Sequence, residues 1–105
     1  MENLVILVGR LGADPELKFT GGGTPVAQFD MATSDRWSDK NGDKKEQTEW
    51  HRVEVWKKLG QACAENLNKG SLVYVRGQLK TKRWETESGE KRTFKFVKAS
   101  RVKFL

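Results

Sequence analysis

Apolar and polar residues alternate along most of this chain, with the period of a β-strand rather than that of a helix. The first apolar segment, Leu4–Val8, is an uninterrupted run rich in β-branched residues that stops at Gly9. Such a run predicts a strand covered on both faces. Asp14–Pro15 interrupts the pattern, and Glu16–Phe19 resumes it briefly. We therefore expect a bent or interrupted first strand.

A glycine triplet, Gly21–Gly23, separates this strand from a second one at Val26–Thr33. The triplet predicts a flexible hairpin connection, because a phosphate-binding loop would need a following Gly-Lys-Ser/Thr and a helix. Ser34–Gln47 is then almost wholly polar and contains the turn signal Asn41-Gly42. This composition is typical of a loop.

The third predicted strand, Thr48–Trp56, is central to our interpretation. Side chains of a strand point alternately to its two faces, so His51, Val53 and Val55 share a predicted core face. The opposite face carries Trp50, Arg52, Glu54 and Trp56. Indoles interleaved with charges suit contact with bases and phosphates better than burial. The sequence thus predicts a tryptophan-lined surface, and a core of aliphatic residues and phenylalanines.

One short helix follows, since Leu59, Ala62, Cys63 and Leu67 fall at helical spacing. Gly70 is placed to end this helix in a left-handed conformation. Cys63 lies on the apolar stripe, which indicates a small core residue rather than a reactive thiol.

Two further strands complete the pattern. Leu72–Leu79 predicts a fourth strand that bends or bulges at Gly77 and continues to Trp84. Lys91–Lys98 predicts a fifth strand that pairs back and runs on to Leu105. Three strands, a helix and two strands predict an all-β fold with one short helix, the five-stranded Greek-key barrel called the OB fold. The length suits a single domain over residues 1–105.

The charge balance narrows the choice of partner. Lys and Arg number 20 against 14 Asp and Glu, a formal charge of +6, which favours a polyanion such as nucleic acid or an acidic membrane surface. The single cysteine excludes an internal disulfide and a cysteine-cluster metal site, so we expect no metal and no cofactor. The chain shows no leader and no run of membrane-spanning length, from which we expect a soluble cytoplasmic protein without a membrane partner.

The remaining tryptophans also lie in basic surroundings. Trp37 follows Arg36 and precedes Lys40, while Trp84 shares a strand face with Lys82. Cations beside indoles favour binding of a single strand of nucleic acid. Trp37 could alternatively fold back as a lid on the core.

Catalysis is not indicated by any motif. His51 is the only histidine, so one chain cannot form a two-histidine metal site. A nucleophile paired with His51 is not indicated either, because Cys63 lies on the apolar stripe of the helix. The carboxylates near it lie among lysines in a charged segment typical of solvated surface. We therefore expect a binding protein and not an enzyme.

Several segments together resemble the bacterial single-stranded DNA-binding protein (SSB) family across essentially the whole chain, in order. They are Asn3–Gly12, Asp14–Leu17, Ala32–Ser34, Thr48–Val53, Leu67–Ser71 and Tyr74–Leu79. The resemblance implies binding of single-stranded DNA without strong sequence preference, in replication, recombination and repair, by a homotetramer of OB folds.

The same resemblance implies roles for individual residues. The stacking aromatics would be Trp37, Trp50, Trp56 and Trp84, with Trp56 standing where many members have phenylalanine. The resemblance implies Lys40, Arg52, Lys58, Lys69 and Arg83 as candidate backbone contacts, and the strand face that Lys82 shares with Trp84 adds Lys82. His51 and Tyr74 would lie at a subunit contact, where protonation of His51 would loosen assembly.

Family members usually continue past the barrel into a flexible linker and an acidic tip that recruits replication and repair enzymes. This sequence ends at Leu105, as a shortened or a naturally tailless chain would, so we expect no such recruitment by these residues. Two rival classes stay open, an OB-fold interaction module of the primosome and a cold-shock-like RNA-binding domain, because aromatic surfaces also stack RNA bases.

Overall fold

The computed structural model describes residues 1–105 and contains six strands and one helix. The elements, in chain order, are β1 (Val5–Leu11), β2 (Glu16–Phe19), β3 (Pro25–Ser38), β4 (Lys44–Trp56), α1 (Lys57–Asn66), β5 (Leu72–Glu85) and β6 (Lys91–Phe104).

The strands form one sheet that closes into a barrel. Their order is β1-β5-β6-β4-β3-β2, and an additional β1–β3 pairing closes the ring. All pairs are antiparallel except β4 with β6. Because β1 and β2 are two arms of the predicted interrupted first strand, the ring has the strand count of the OB fold. The predicted five-stranded OB-fold barrel with one helix is confirmed.

The core lies inside this ring and is mainly aliphatic. Val53 and Val55 are fully buried, as the alternation in their strand predicts. Phenylalanines divide: Phe29 and Phe96 are buried, whereas Phe19, Phe94 and Phe104 are exposed. The prediction that phenylalanines belong to the core is wrong for these three. Phe19 and Phe104 are the last residues of β2 and β6, and Phe94 lies on the β5–β6 hairpin.

The first strand also departs from expectation. Val5 and Leu7 pack against the core, but Leu4, Ile6 and Val8 are 49%, 52% and 51% exposed. The prediction of a strand covered on both faces is therefore wrong for the single chain. A barrel in which the helix covers other strands leaves the outer face of β1 open.

The helix ends earlier than its glycine signal suggests. Its last residue is Asn66, and Leu67 is extended. Gly70 does adopt a left-handed φ of 89°, but in the turn after the helix, where its N–H donates to the carbonyl of Leu11. The prediction that Gly70 terminates the helix is wrong, although its conformation is the predicted one.

Two hairpins extend beyond the barrel. β3 and β4 stay paired as far as Ser38 and Lys44, so most of the predicted polar loop 34–47 is strand. Its turn is held by Asp39, whose Oδ1 accepts from the N–H groups of Asn41 and Asp43. The β3–β4 and β5–β6 hairpins together raise the radius of gyration of the chain to 16.2 Å. A compact chain of this length would have about 13 Å.

The predicted irregularity at Gly77 is also present. Arg76 pairs with Arg101 and Gly77 with Ala99, so β6 carries the extra residue, Ser100. This bulge bends the sheet where β5 leaves the barrel.

Crossing a bilayer needs a helix of about 20 apolar residues, and the structure has no helix that is both long and apolar enough.

Candidate nucleic-acid interface

Trp50 lies on the outer face of β4 and is 61% exposed. Its six-membered ring sits against Gly12 so closely that a Cβ added to Gly12 would be 2.5 Å from Cζ3. A shallow cleft beside Trp50 is lined by Arg52, Phe94 and Lys95. The cleft thus presents two aromatic rings next to two cations, although the sequence interpretation had not included Phe94 or Lys95.

Arg52 is held in this cleft by the neighbouring strand. One guanidinium nitrogen is 3.3 Å from Oδ1 of Asp30, and another donates to Oε1 of Gln28 at 3.2 Å. An incoming phosphate would therefore compete with a carboxylate for Arg52. Because such partly exposed ion pairs contribute little to stability, exchanging one for another is not costly.

The side chain of Trp56 is half-buried, whereas that of Trp50 is exposed. Its Nε1–H donates to Oε1 of Glu54 at 2.6 Å, and the Lys98 ammonium lies 5.2 Å from its ring centroid. Glu54 also accepts from Lys82 Nζ at 2.9 Å. Phe19 lies in the same shallow cleft as Trp56 and Lys82.

Glu54 is buried on the face predicted to be exposed, which makes it the only charged side chain among the buried residues. Burial by itself raises the pKa of its carboxyl group. Hydrogen bonds from Lys82 and Trp56, the charge of Lys82 and a hydrogen bond from Gln28 together outweigh burial and lower that pKa below 4.5. Glu54 therefore stays ionised and fixes the positions of Trp56 and Lys82.

Trp37 projects from the β3–β4 hairpin and is 48% exposed. It lines a shallow cleft with Arg36, Lys44 and Lys45. The alternative in which Trp37 covers the core is excluded by its position beyond the barrel. Lys40 lies at the exposed tip of the same hairpin, outside this cleft.

Trp84 occupies the corresponding position on the β5–β6 hairpin and is 49% exposed. Its cross-strand partner is Arg92, and the neighbouring Arg83 pairs with Thr93. Two hairpins thus each carry an exposed indole next to arginine or lysine side chains.

The other two candidate cations lie off the strands. Lys58 is exposed on the first turn of α1. Lys69 lies in the loop after α1, where its backbone N–H donates to Oδ1 of Asp14 at 2.7 Å. Asp14 is two residues from Gly12, so Lys69 is connected to the loop that supports Trp50. Neither Lys58 nor Lys69 takes part in an ion pair.

The two residues expected at a subunit contact lie on different strands. His51 Nε2 is 2.8 Å from the Thr33 hydroxyl, on the inner side of the β3–β4 hairpin. Tyr74 pairs with Val8 across β5 and β1, beside the exposed apolar row Leu4, Ile6 and Val8.

Groups suited to catalysis or metal binding are not assembled. Cys63 is fully buried, and burial raises the pKa of its thiol to about 11. No cluster of three or more His, Cys, Asp or Glu side chains is arranged to hold a metal ion. What the structure does assemble is an aromatic surface, by which we mean the outer face and hairpins carrying Trp37, Trp50, Trp56, Trp84, Phe19 and Phe94.

Phe19 and Phe94 are the members that the sequence interpretation missed. Both are flanked by charged or polar residues, Lys18 and Thr20 in one case and Thr93 and Lys95 in the other. Flanking residues alone would not have found them, because Phe29 also lies between two polar residues, Gln28 and Asp30, and is buried.

Comparison with known proteins agrees with this geometry. The model of the single-strand binding protein family matches residues 2–105. Two single-stranded DNA-binding proteins of Neisseria meningitidis, from serogroups A and B, are each 40% identical over 103 residues. These residues are 98% of this chain and 59% of each relative. The chain therefore spans about three fifths of the length of the curated relatives it matches.

Solved structures give the same result. The SSB of Plasmodium falciparum in complex with ssDNA superposes with a TM-score of 0.88 at 33% identity, covering 100% of this chain and 96% of that one. A deletion mutant of the single-stranded DNA binding protein from Thermus aquaticus gives 0.85 at 32% identity, over 99% of this chain and 50% of that one. Given a family model that matches nearly every residue, the chain belongs to the single-strand binding protein family.

Proposed function

We propose that this protein binds single-stranded DNA without sequence preference and protects it during replication, recombination and repair. The observation that carries the proposal is the exposure of Trp37, Trp50 and Trp84 on the outside of a barrel with a net charge of +6. Large aromatic side chains are seldom left open to water beside cations unless a partner covers them. Unpaired bases have the π-faces and phosphates that fit this surface.

Stacking supplies the part of the affinity that resists salt. Each base stacked on an aromatic ring contributes about 1–3 kcal/mol, and every base has a π-face, so no sequence is favoured. Phosphate contacts supply the salt-dependent part, with a slope of about −0.7 per contact for single strands. Lys40, Lys58, Lys69 and Arg83 suit this role because they are exposed and unpaired.

The same surface selects against duplex DNA, because paired bases hide their faces inside the stack. A duplex therefore offers only phosphates to the cations and nothing to the indoles. The proposed partner also places the protein beside DNA in the cytoplasm of a bacterial cell.

Self-association is a further part of the proposal. The exposed apolar row Leu4, Ile6 and Val8 runs along β1, and Tyr74 lies across from Val8. A second copy of the chain would remove this row from water, and assembly to a homotetramer would bring several aromatic surfaces to one strand of DNA. The contact would include Tyr74 and, on the neighbouring hairpin, His51.

A competition experiment tests the proposed function. Fluorescently labelled oligo-dT is bound to the protein and displaced by unlabelled single-stranded DNA, by RNA of equal length and by the corresponding duplex. We expect single-stranded DNA of mixed sequence to compete as well as oligo-dT, and duplex to compete far less. Tighter binding of RNA would assign the chain to RNA recognition, and equal competition by the duplex would contradict stacking.

A further inference from the structure

Phe96 is a buried aromatic residue on the outer face of the barrel. Its neighbour Val97 belongs to the core, so the alternation of the strand turns the Phe96 ring outward, to the face that carries Phe94. Phe94 is exposed there, whereas Phe96 is buried without being part of the cluster that fills the barrel. A group on the outer face must therefore cover the ring of Phe96.

The cover is the side chain of Lys82. β6 lies between β5 and β4 in the sheet. Lys82 comes from β5, and its Nζ is 2.9 Å from Oε2 of Glu54 on β4. To reach that carboxylate, the Lys82 side chain crosses β6 over Phe96, and its Nζ lies 4.9 Å from the ring centroid. We call this ion pair across Phe96 the lysine strap.

The two ends of the lysine strap differ in mobility. The side chain of Lys82 is 51% exposed, whereas that of Glu54 is 6% exposed and also accepts a hydrogen bond from Nε1 of Trp56. Opening the strap therefore moves Lys82 and leaves Glu54 in place. A buried carboxylate that loses its only cation destabilises a fold, but Glu54 has a second one nearby, because its partner on β6 is Lys98.

Phe96 also lies between two groups of aromatic rings. The cleft beside Trp50 contains Phe94, which is two residues before Phe96 on the same face. The cleft beside Trp56 contains Lys82 itself. A strand of bases that passes from Trp50 to Trp56 along this face thus crosses the lysine strap. In the free protein, the strap interrupts an otherwise continuous row of aromatic rings.

We propose that Phe96 is a further base-stacking residue, which the lysine strap covers in the free protein and uncovers when single-stranded DNA binds. The inference rests on the proposed function and extends it, because a phosphate of the bound strand replaces Glu54 as the partner of Lys82. Lys82 then acts as a cover whose removal adds a stacking surface. Opening exposes the π-face of Phe96, on which any base can stack.

The salt dependence of Lys82→Ala distinguishes a cover from a simple phosphate contact. Losing one phosphate contact weakens oligo-dT binding about eightfold more at 0.05 M than at 1 M salt, and leaves binding near the wild-type value at 1 M. Losing a cover also exposes Phe96 without the need to break an ion pair. We therefore expect Lys82→Ala to bind oligo-dT severalfold more tightly than the wild type at about 1 M salt, measured by fluorescence anisotropy.

Lys40→Ala is the matched control, because it removes one charge from an exposed residue that lies over no aromatic ring. It should bind more weakly at low salt and no more tightly than the wild type at 1 M. The double variant Lys82→Ala/Phe96→Leu should lose the gain at 1 M. If Lys82→Ala does not fold, Glu54→Gln opens the strap from its other end and should give the same gain at 1 M.

Photocrosslinking locates the stacked ring directly. Oligo-dT that carries iodouracil is irradiated with the wild type, and the crosslinked residues are identified by mass spectrometry. We expect a crosslink to Phe96. Crosslinks confined to Trp50, Trp56 and Phe94 would overturn the inference and leave the proposed function intact, as would Lys82→Ala binding no tighter than the wild type at 1 M. A wild type that binds no oligo-dT would overturn the proposed function as well.

Discussion

At the residue scale, the four indoles differ in how freely a base can reach them. Trp50, Trp37 and Trp84 each expose about half or more of their surface, whereas Trp56 has its N–H bound to Glu54 and a cation over its ring. The cross-strand partner of Trp50 is Ala32, which also pairs with β1, so Trp50 lies on the barrel rather than on a projecting hairpin. A base stacked on Trp50 therefore meets the more rigid support, since hairpins open more easily than barrel strands.

Trp50→Ala should weaken binding of oligo-dT by about 1–3 kcal/mol at high salt, because it removes one stacking surface. Lys40→Ala should weaken binding at low salt and have little effect near 1 M, since a phosphate contact is screened there. Trp50→Phe is the control that keeps a π-face. Fluorescence anisotropy at both salt concentrations measures the difference, and equal losses for Trp50→Ala and Lys40→Ala at high salt would argue against this division.

Gly12 positions Trp50 without touching a base. In Gly12→Ala the new methyl group would collide with the indole, and the exposed ring has room to move away. We expect severalfold weaker binding of oligo-dT and only a small change in unfolding temperature. The double variant Gly12→Ala/Trp50→Ala is diagnostic, because Gly12→Ala should cause little further loss of binding once the indole is removed. Full additivity of the two effects would show that Gly12 acts elsewhere.

At the element scale, the alternation of β4 predicted its buried and open faces, but not that Glu54 would be enclosed on the open face. The carboxylate of Glu54 is bound by Lys82 and Gln28, which come from other strands, and a local pattern does not contain such partners. The prediction that the outer face of β1 is covered was wrong for a related reason. A continuous apolar run such as Leu4–Val8 indicates that both faces of the strand are apolar, but it does not indicate whether the same chain covers them.

The Glu54–Lys82 pair links two elements and carries a pH dependence. Because the pKa of Glu54 is lower in the folded chain than its value of 4.5 outside the fold, the carboxylate stabilises the fold above pH 4.5. This stability is lost as the pH falls through the folded-state pKa. The free energy of unfolding in urea should therefore drop less between neutral and acidic pH in Glu54→Gln than in the wild type. An identical drop in both proteins would contradict the assignment.

At the scale of the whole molecule, the fold followed from strand order and the position of the single helix, and most of the candidate cations lie on or next to the predicted surface. Phe19 and Phe94 could not be separated from core phenylalanines by residue type, since Phe96 shares a face with Phe94 and is buried. Membership of the single-strand binding protein family bears out the prediction of a binding protein rather than an enzyme.

Self-association is a property of the whole molecule that the exposed β1 face makes testable. Sedimentation equilibrium should give a mass that is a multiple of 12.0 kDa for the wild type. Ile6→Asp should reduce the mass to that of a single chain, because a carboxylate would be buried in an apolar contact. Leu17→Asp is the control, since Leu17 is also exposed but lies on β2. A wild-type mass for Ile6→Asp would exclude this face.

The central claim is that bases stack on open indoles, and intrinsic tryptophan fluorescence reports that contact directly. Oligo-dT is added to the wild type at about 1 M salt, where phosphate contacts contribute little. The account predicts strong, saturable quenching by oligo-dT and none by a duplex of equal length. Fluorescence that stays unchanged while an independent probe shows oligo-dT bound would contradict it.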